Sequence, residues 1–278
     1  MNHRPADPHF DAVQAARSFL FVPADRPERF DKAAASGADQ VVIDLEDAVV
    51  AEHKASAREA AVTWLREGGR ACIRINAVDS AEHEADVVMV GRVGGVVAVV
   101  LPKASDARIA TIVAERTGVP VVALIESAVG LLKAPEIAAA DGVARLAFGH
   151  LDYARDLNCA NGRTAMLHAR STLVLASRAA GLPGPIDGVT VALDDAGALE
   201  DDLAHARELG LTGKLLIHPR QVETTHAAYR PSDEEMVWAR KVLAAVRGTS
   251  DGAVRVDGEM VDAPVIARAE DLVRQHDR

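Results

Sequence analysis

Carboxylates, guanidinium groups and amines recur in this chain directly after short apolar runs. Asp44, Glu46 and Asp47 close the run that begins at Val41, and Arg74 and Asn76 close the next. Lys103, Glu126, Asp152, Asp187 and His218 each follow a further apolar run. A charge so close to a core needs a partner or a metal. Its recurrence after nearly every run points to one polar site assembled from many segments.

Glu126 and Asp152 offer hard oxygen donors with no soft ligand beside them. Completed by water and substrate oxygens, such a pair suits Mg²⁺ better than Ca²⁺. The same carboxylates could instead accept backbone N–H bonds or pair with an arginine. Arg74 presents a planar fork matched to a carboxylate or enolate oxygen. It could equally form an ion pair with the Asp44, Glu46 and Asp47 cluster, which would hold Arg74 and metal-bound waters in place. Glu46 and Asp47 are therefore counted with Arg74 as candidate catalytic groups, and Asp44 and Lys103 as groups that face the substrate. Lys103 reads as an ion-pair partner in preference to a Schiff-base lysine. His150 and His218 read as hydrogen-bonded structural histidines. Arg26, Arg29 and Lys32 follow the first run, in a loop and the first turns of a helix. That is a reasonable phosphate site, or else a solvated basic face. No Walker A or GxGxxG pattern is present, so nucleotide hydrolysis and a Rossmann cofactor have no support.

The apolar runs that carry these groups alternate with Ala-rich helical stretches. Strands are expected at 18–23, 41–47, 71–76, 96–103, 120–127, 143–152, 185–189 and 213–219. Helices are expected after each, with Ser105 capping the fourth. Eight strands, each followed by a helix, predict a closed parallel (β/α)8 barrel whose active site gathers at the C-terminal strand ends. The predicted division is an N-terminal extension over 1–17, the barrel over 18–229 and a C-terminal helical arm or lid over 230–278. In the arm, Ser232 can cap a helix, 248–258 reads as a loop or small hairpin, and Pro264 opens the last helix.

Composition agrees. Hydrophobic residues make up 49% of the 278, with only 3% aromatic, which suits aliphatic strands covered on both faces. The net charge of −10 argues against nucleic acid as a partner. Cys72 and Cys159 lie far apart without CxxC spacing, so a disulfide framework and a zinc site are unsupported. No signal peptide and no membrane span are read from the sequence, and the expected compartment is the cytoplasm.

The segments FLFVPADRPERFDKA, VVIDLEDAV, IRIN, VVLPK, ALIES, AFGHLDYARDL, KLLIHPRQV and GEMVDAPV stand in an order that resembles the citrate lyase beta-subunit-like proteins. These belong with the malyl-CoA and citramalyl-CoA lyases and the HpcH/HpaI aldolases. The resemblance implies a TIM barrel that binds Mg²⁺ through Glu126 and Asp152. It implies that Arg74 contacts the keto acid or enolate, that Arg26 and Arg29 lie near the phosphates of coenzyme A, and that Asp262 is an acid delivered from a neighbouring subunit of a trimer or hexamer. The implied substrate is a hydroxyacyl-CoA thioester, split into an acyl-CoA and an α-keto acid such as glyoxylate or pyruvate. Two other activities fit the same residues: a class II pyruvate aldolase acting on free aldehydes, and a non-catalytic barrel subunit of a lyase complex. His150, in GHLD, stands where several relatives carry a carboxylate or a small residue. That departure bears on substrate preference or metal tuning.

Overall fold

A computed structural model describes residues 8–247, 254–256 and 259–276. Two compact units divide the chain, 1–226 and 227–278.

In the first unit eight parallel strands close in chain order, each hydrogen-bonded to the next and β8 to β1. They are β1 (Ser18–Pro23), β2 (Gln40–Asp44), β3 (Ala71–Arg74), β4 (Val96–Leu101), β5 (Val121–Ile125), β6 (Val143–Phe148), β7 (Ile186–Asp187) and β8 (Gly213–Leu216). The helices are α1 (Pro8–Ala15), α2 (Phe30–Ala34), α3 (Lys54–Arg66), α4 (His83–Val90), α5 (Ala107–Thr117), α6 (Ala128–Leu132), α7 (Ala134–Ala138), α8 (His150–Asp156), α9 (Arg163–Ala179), α10 (Ala196–Leu209) and α11 (Gln221–Ala228). Short 3₁₀ turns precede α2 and α3. The expected (β/α)8 barrel is the observed fold.

Period-two alternation along the strands separates two cores. Phe19, Val42, Cys72, Val100, Val122, Leu124 and Leu215 pack with one another and with Val13 and Ala16 of the N-terminal segment. Their neighbours Leu20, Ile43, Ile73, Val99 and Ile125 pack against helix residues such as Leu65, Val113 and Leu173. The first set fills the barrel and the second seals it under the helices. The interior row continues upward as Asp44, Arg74 and Glu126, so the alternation that builds the core also aims these groups inward.

Several local expectations are corrected. The β6 strand stops at Phe148, so Asp152 belongs to the first turn of α8. The α5 cap is Asp106, whose side chain accepts the Arg108 N–H; Ser105 does not cap it. The expected strand at 185–189 shrinks to two residues. Its place in the barrel is held by charge: Asp187 receives Lys214 Nζ at 2.9 Å and Arg170 Nε at 2.7 Å, all three buried. Breaking such a pair typically costs about 3–5 kcal/mol. At the opposite mouth the fully buried Arg145 donates to the carbonyls of Val13, Ala16 and Gly184. The guanidinium thereby fixes α1, an element unforeseen in the extension.

In the second unit, α12 (Asp233–Val246) and α13 (Ala263–His276) pack on each other with the hairpin β9 (Val254–Val256) and β10 (Glu259–Val261). Ala239, Val242, Val256, Val261, Ala269 and Leu272 form its core. Ser232 and Glu235 make the expected cap as a reciprocal box. The expected 248–258 loop falls partly on 248–253 and 257–258, which lie outside the described residues. No described helix is long and apolar enough to cross a membrane.

Candidate active site

A cavity of about 330 Å³ opens among residues at and beyond the C-terminal strand ends. Its lining includes Asp44, Asp47, Arg74, Glu126, His150 and Asp152, over Phe21, Leu124, Phe148 and Leu215.

Arg74, at the end of β3, is clamped from below. Its Nε and Nη2 donate to Asp44 Oδ1 and Oδ2 at 2.7 and 2.6 Å. Glu46 Oε2 lies 3.2 Å from Nη1 but is out of line for a hydrogen bond. The guanidinium also sits 4.9 Å over the Phe21 ring. Burial works against its charge, yet Asp44 and Glu46 outweigh that and hold its pKa above the ordinary value. Asp44 in turn accepts the Glu46 N–H at 2.9 Å. Lys54 Nζ donates to the carbonyls of Leu45 and Glu46, both at 2.7 Å. Sequence reasoning missed Lys54; a lysine opening the helix after an acidic turn was the available signal.

Lys103 bridges two acids. Its backbone N–H donates to Glu126 Oε1 at 2.7 Å, and its Nζ reaches Glu46 Oε1 at 3.0 Å. The residue holds a left-handed φ of 49°, a conformation that costs a non-glycine residue about 1 kcal/mol or more. Burial raises the pKa of Glu46, partly offset by Arg74. Burial, with the Glu46 charge added, pushes Glu126 up to about 8.

Glu126 Oε2 and both Asp152 oxygens accept no hydrogen bond or ion pair from any described residue. The closeness of Glu126 to the β6–α8 turn depends on Gly149, where a β-carbon would meet Glu126 Oε2 at 2.4 Å. No group of three or more His, Cys, Asp or Glu that could hold a metal occurs among the described residues. Two open carboxylates, in a lining of four carboxylates and one arginine, still fit a hard cation that takes much of its shell from water and substrate. Asp47 is exposed and unpaired among the described residues. His150 is buried with Nδ1 unbonded, and burial drives its pKa down to about 4.

The basic loop divides. Arg29 and Lys32 line a second cavity of about 350 Å³ with His218. Arg26 lines neither cavity and is exposed beside Asp25. Phe21, Pro23 and Ile217 line both cavities, so the two are neighbours. Asp262 belongs to the second unit, where it accepts the Val265 N–H at 3.4 Å as the cap of α13.

Residues 17–219 match the HpcH/HpaI aldolase/citrate lyase family. The chain is 38% identical to the citrate lyase subunit beta-like protein of Mycobacterium tuberculosis, over 94% of this chain and 96% of that one. It is 33% identical to a (3S)-malyl-CoA thioesterase of Cereibacter sphaeroides, over 88% and 89%. The crystal structure of protein CitE from Mycobacterium tuberculosis, in complex with magnesium, acetoacetate and coenzyme A, superposes with a TM-score of 0.84 at 38% identity, over 95% of this chain and 100% of that one. In fold and in sequence along nearly its whole length, the chain belongs to the HpcH/HpaI aldolase/citrate lyase family.

Proposed function

We propose that this chain is a Mg²⁺-dependent carbon–carbon lyase. It cleaves, or in reverse forms, a hydroxyacyl-CoA thioester, giving an acyl-CoA and an α-keto acid such as glyoxylate or pyruvate. The observation that carries this reading is the pair of open carboxylates, Glu126 and Asp152, on a cavity lined by four carboxylates and one arginine. These two would hold the cation. When bound, Mg²⁺ supplies Lewis-acid polarisation of the substrate's hydroxyl and carboxylate oxygens.

The chain's own residues do the rest. Asp47, exposed at the cavity, is our candidate for the base that takes the hydroxyl proton. The carbon–carbon bond then breaks, its electron pair passes to the thioester as an enolate, and the former hydroxyl carbon becomes the keto carbon. Arg74 supplies fixed positive charge where oxyanions develop, with Asp44 and Glu46 holding its fork. Lys103 orients Glu126 and Glu46. Asp262, carried on the 230–278 arm of a neighbouring chain in a trimer or hexamer, is the candidate acid that protonates the enolate carbon. Arg29 and Lys32, with Arg26 at the edge, would bind the coenzyme's phosphates. Cys72 and Cys159 are free thiols, which suits a reducing compartment, and we assign the chain to the cytoplasm.

The test is turnover of malyl-CoA, citramalyl-CoA and citryl-CoA with Mg²⁺, following acyl-CoA and keto acid together. Equal yields of the two products are expected from one of these thioesters. Release of free coenzyme A without a keto acid, or cleavage only of CoA-free aldols, overturns the proposal.

A further inference from the structure

Asn161 and Gly162 lie in the stretch 155–165, from the end of α8 into the start of α9, where every residue is exposed. Gly162 is the N-cap of α9, with φ −71° and ψ 166°, extended backbone that any residue adopts. A β-carbon there would meet nothing within 4 Å. Neither space nor conformation therefore calls for glycine at 162. Among the described residues, nothing accepts a hydrogen bond from the Gly162 backbone N–H, and the Asn161 side-chain amide has no partner. The other described asparagines differ. Asn76 is buried, donates its Nδ2 to Asp86 at 2.7 Å and precedes Ala77. Asn158 is exposed but precedes Cys159, whose N–H donates to the Ala154 carbonyl at 2.9 Å.

We propose that Asn161 is a self-modification site, at which the chain converts an amide to a carboxylate without any enzyme. The Gly162 nitrogen, deprotonated by solvent base, attacks Asn161 Cγ. The new N–Cγ bond closes a cyclic imide, and the Cγ–Nδ2 bond breaks to release ammonia. Water then adds to either ring carbonyl. Opening at Cγ leaves aspartate, and opening at the backbone carbonyl leaves isoaspartate. Glycine exposes its nitrogen to this attack and leaves the backbone free to turn toward Cγ. At Asn158 the attacking nitrogen is tied down by its hydrogen bond, and at Asn76 the amide itself is held. The product also suits its place. α9 has no acidic residue in its first turn and no side-chain cap, so a carboxylate beside its N terminus meets the helix dipole favourably. None of this depends on the lyase reading.

The experiment is incubation of the folded full chain in mildly acidic and mildly alkaline buffer, followed by peptide mapping with mass spectrometry. Residue 161 is expected to gain the mass of amide-to-acid exchange, faster in alkali, while Asn76 and Asn158 keep their amides. Methylation by an isoaspartyl O-methyltransferase should mark the isoaspartate fraction at 161. Gly162→Ala keeps the backbone conformation and should slow the conversion by about tenfold or more. An amide that persists at 161 in the folded chain overturns the inference. So does conversion of Gly162→Ala at the parent's rate, or conversion at Asn76 or Asn158 as fast as at Asn161. Asn161→Asp should melt about 1–3 °C above the parent, and a lower melting temperature overturns the favourable placement at α9.

Discussion

Gly149 and Glu126 are in such close contact that a β-carbon at 149 would stand 2.4 Å from Glu126 Oε2 and 2.6 Å from its Cβ. The φ of Gly149 is −91°, open to any residue, so space alone demands the glycine. Gly149→Ala should push the Glu126 carboxylate away from Asp152 and weaken Mg²⁺ binding by about tenfold or more. Calorimetric titration of Mg²⁺ reads this directly. Wild-type affinity in a folded Gly149→Ala variant would remove Glu126 from the cation site.

Glu126 also sets a pH dependence. Its pKa of about 8 lies above its ordinary 4.5, first because of burial and then because of Glu46. A carboxyl raised in this way favours the fold fully below the ordinary value, and that contribution is lost as pH rises through about 8. A cation binds the ionised form, so Mg²⁺ must displace a proton below that pH. The thermal stabilisation conferred by Mg²⁺ should therefore grow with pH and level off above about 8. A Mg²⁺ effect independent of pH across this range, measured by thermal melts, contradicts the assignment.

Arg74→Lys keeps the charge and loses the fork that meets both Asp44 oxygens. Turnover should fall by about 10²–10³-fold, the usual loss for one fixed charge-stabilising donor. Steady-state kinetics decide it: a variant within about twofold of the parent would leave Arg74 a purely structural ion-pair partner.

Arg29 lines the second cavity and Arg26 does not. Arg29→Ala should raise KM for the thioester several-fold more than it lowers kcat, and Arg26→Ala should change KM less. Equal effects of the two variants would mean that the loop acts only as a diffuse basic face.

Asp262 caps α13 and is also our candidate proton donor, two roles that separate on mixing. Asp262→Asn retains a capping side chain, so the fold should survive while turnover falls. Co-assembly of Asp262→Asn with Glu126→Gln should restore part of the activity if the acid acts on a neighbouring barrel. Mixed oligomers as inactive as either parent exclude action between chains, and a fully active Asp262→Asn variant leaves only the cap.

The barrel was legible because its signal is local. Each parallel strand is buried on both faces and reads as an aliphatic run, and the charge after each run marks the strand end. The sequence by itself therefore determined the fold, the position of Asp44, Arg74 and Glu126 at the rim, and the presence of acid near residue 152. It could not show which groups meet. The Lys103–Glu46 pair joins residues 57 apart in the chain, and the Glu126–Gly149 contact joins neighbouring strands whose register only barrel closure sets. β7 was misjudged in length because its place depends on Asp187, Lys214 and Arg170, a buried charge triangle with no sequence period. Likewise Arg26 and Arg29 stand three residues apart, yet only Arg29 faces the second cavity. Composition is the same in every arrangement of a chain, whereas the field at Glu126 depends on distances between strands. Those distances exist only once the sheet has closed.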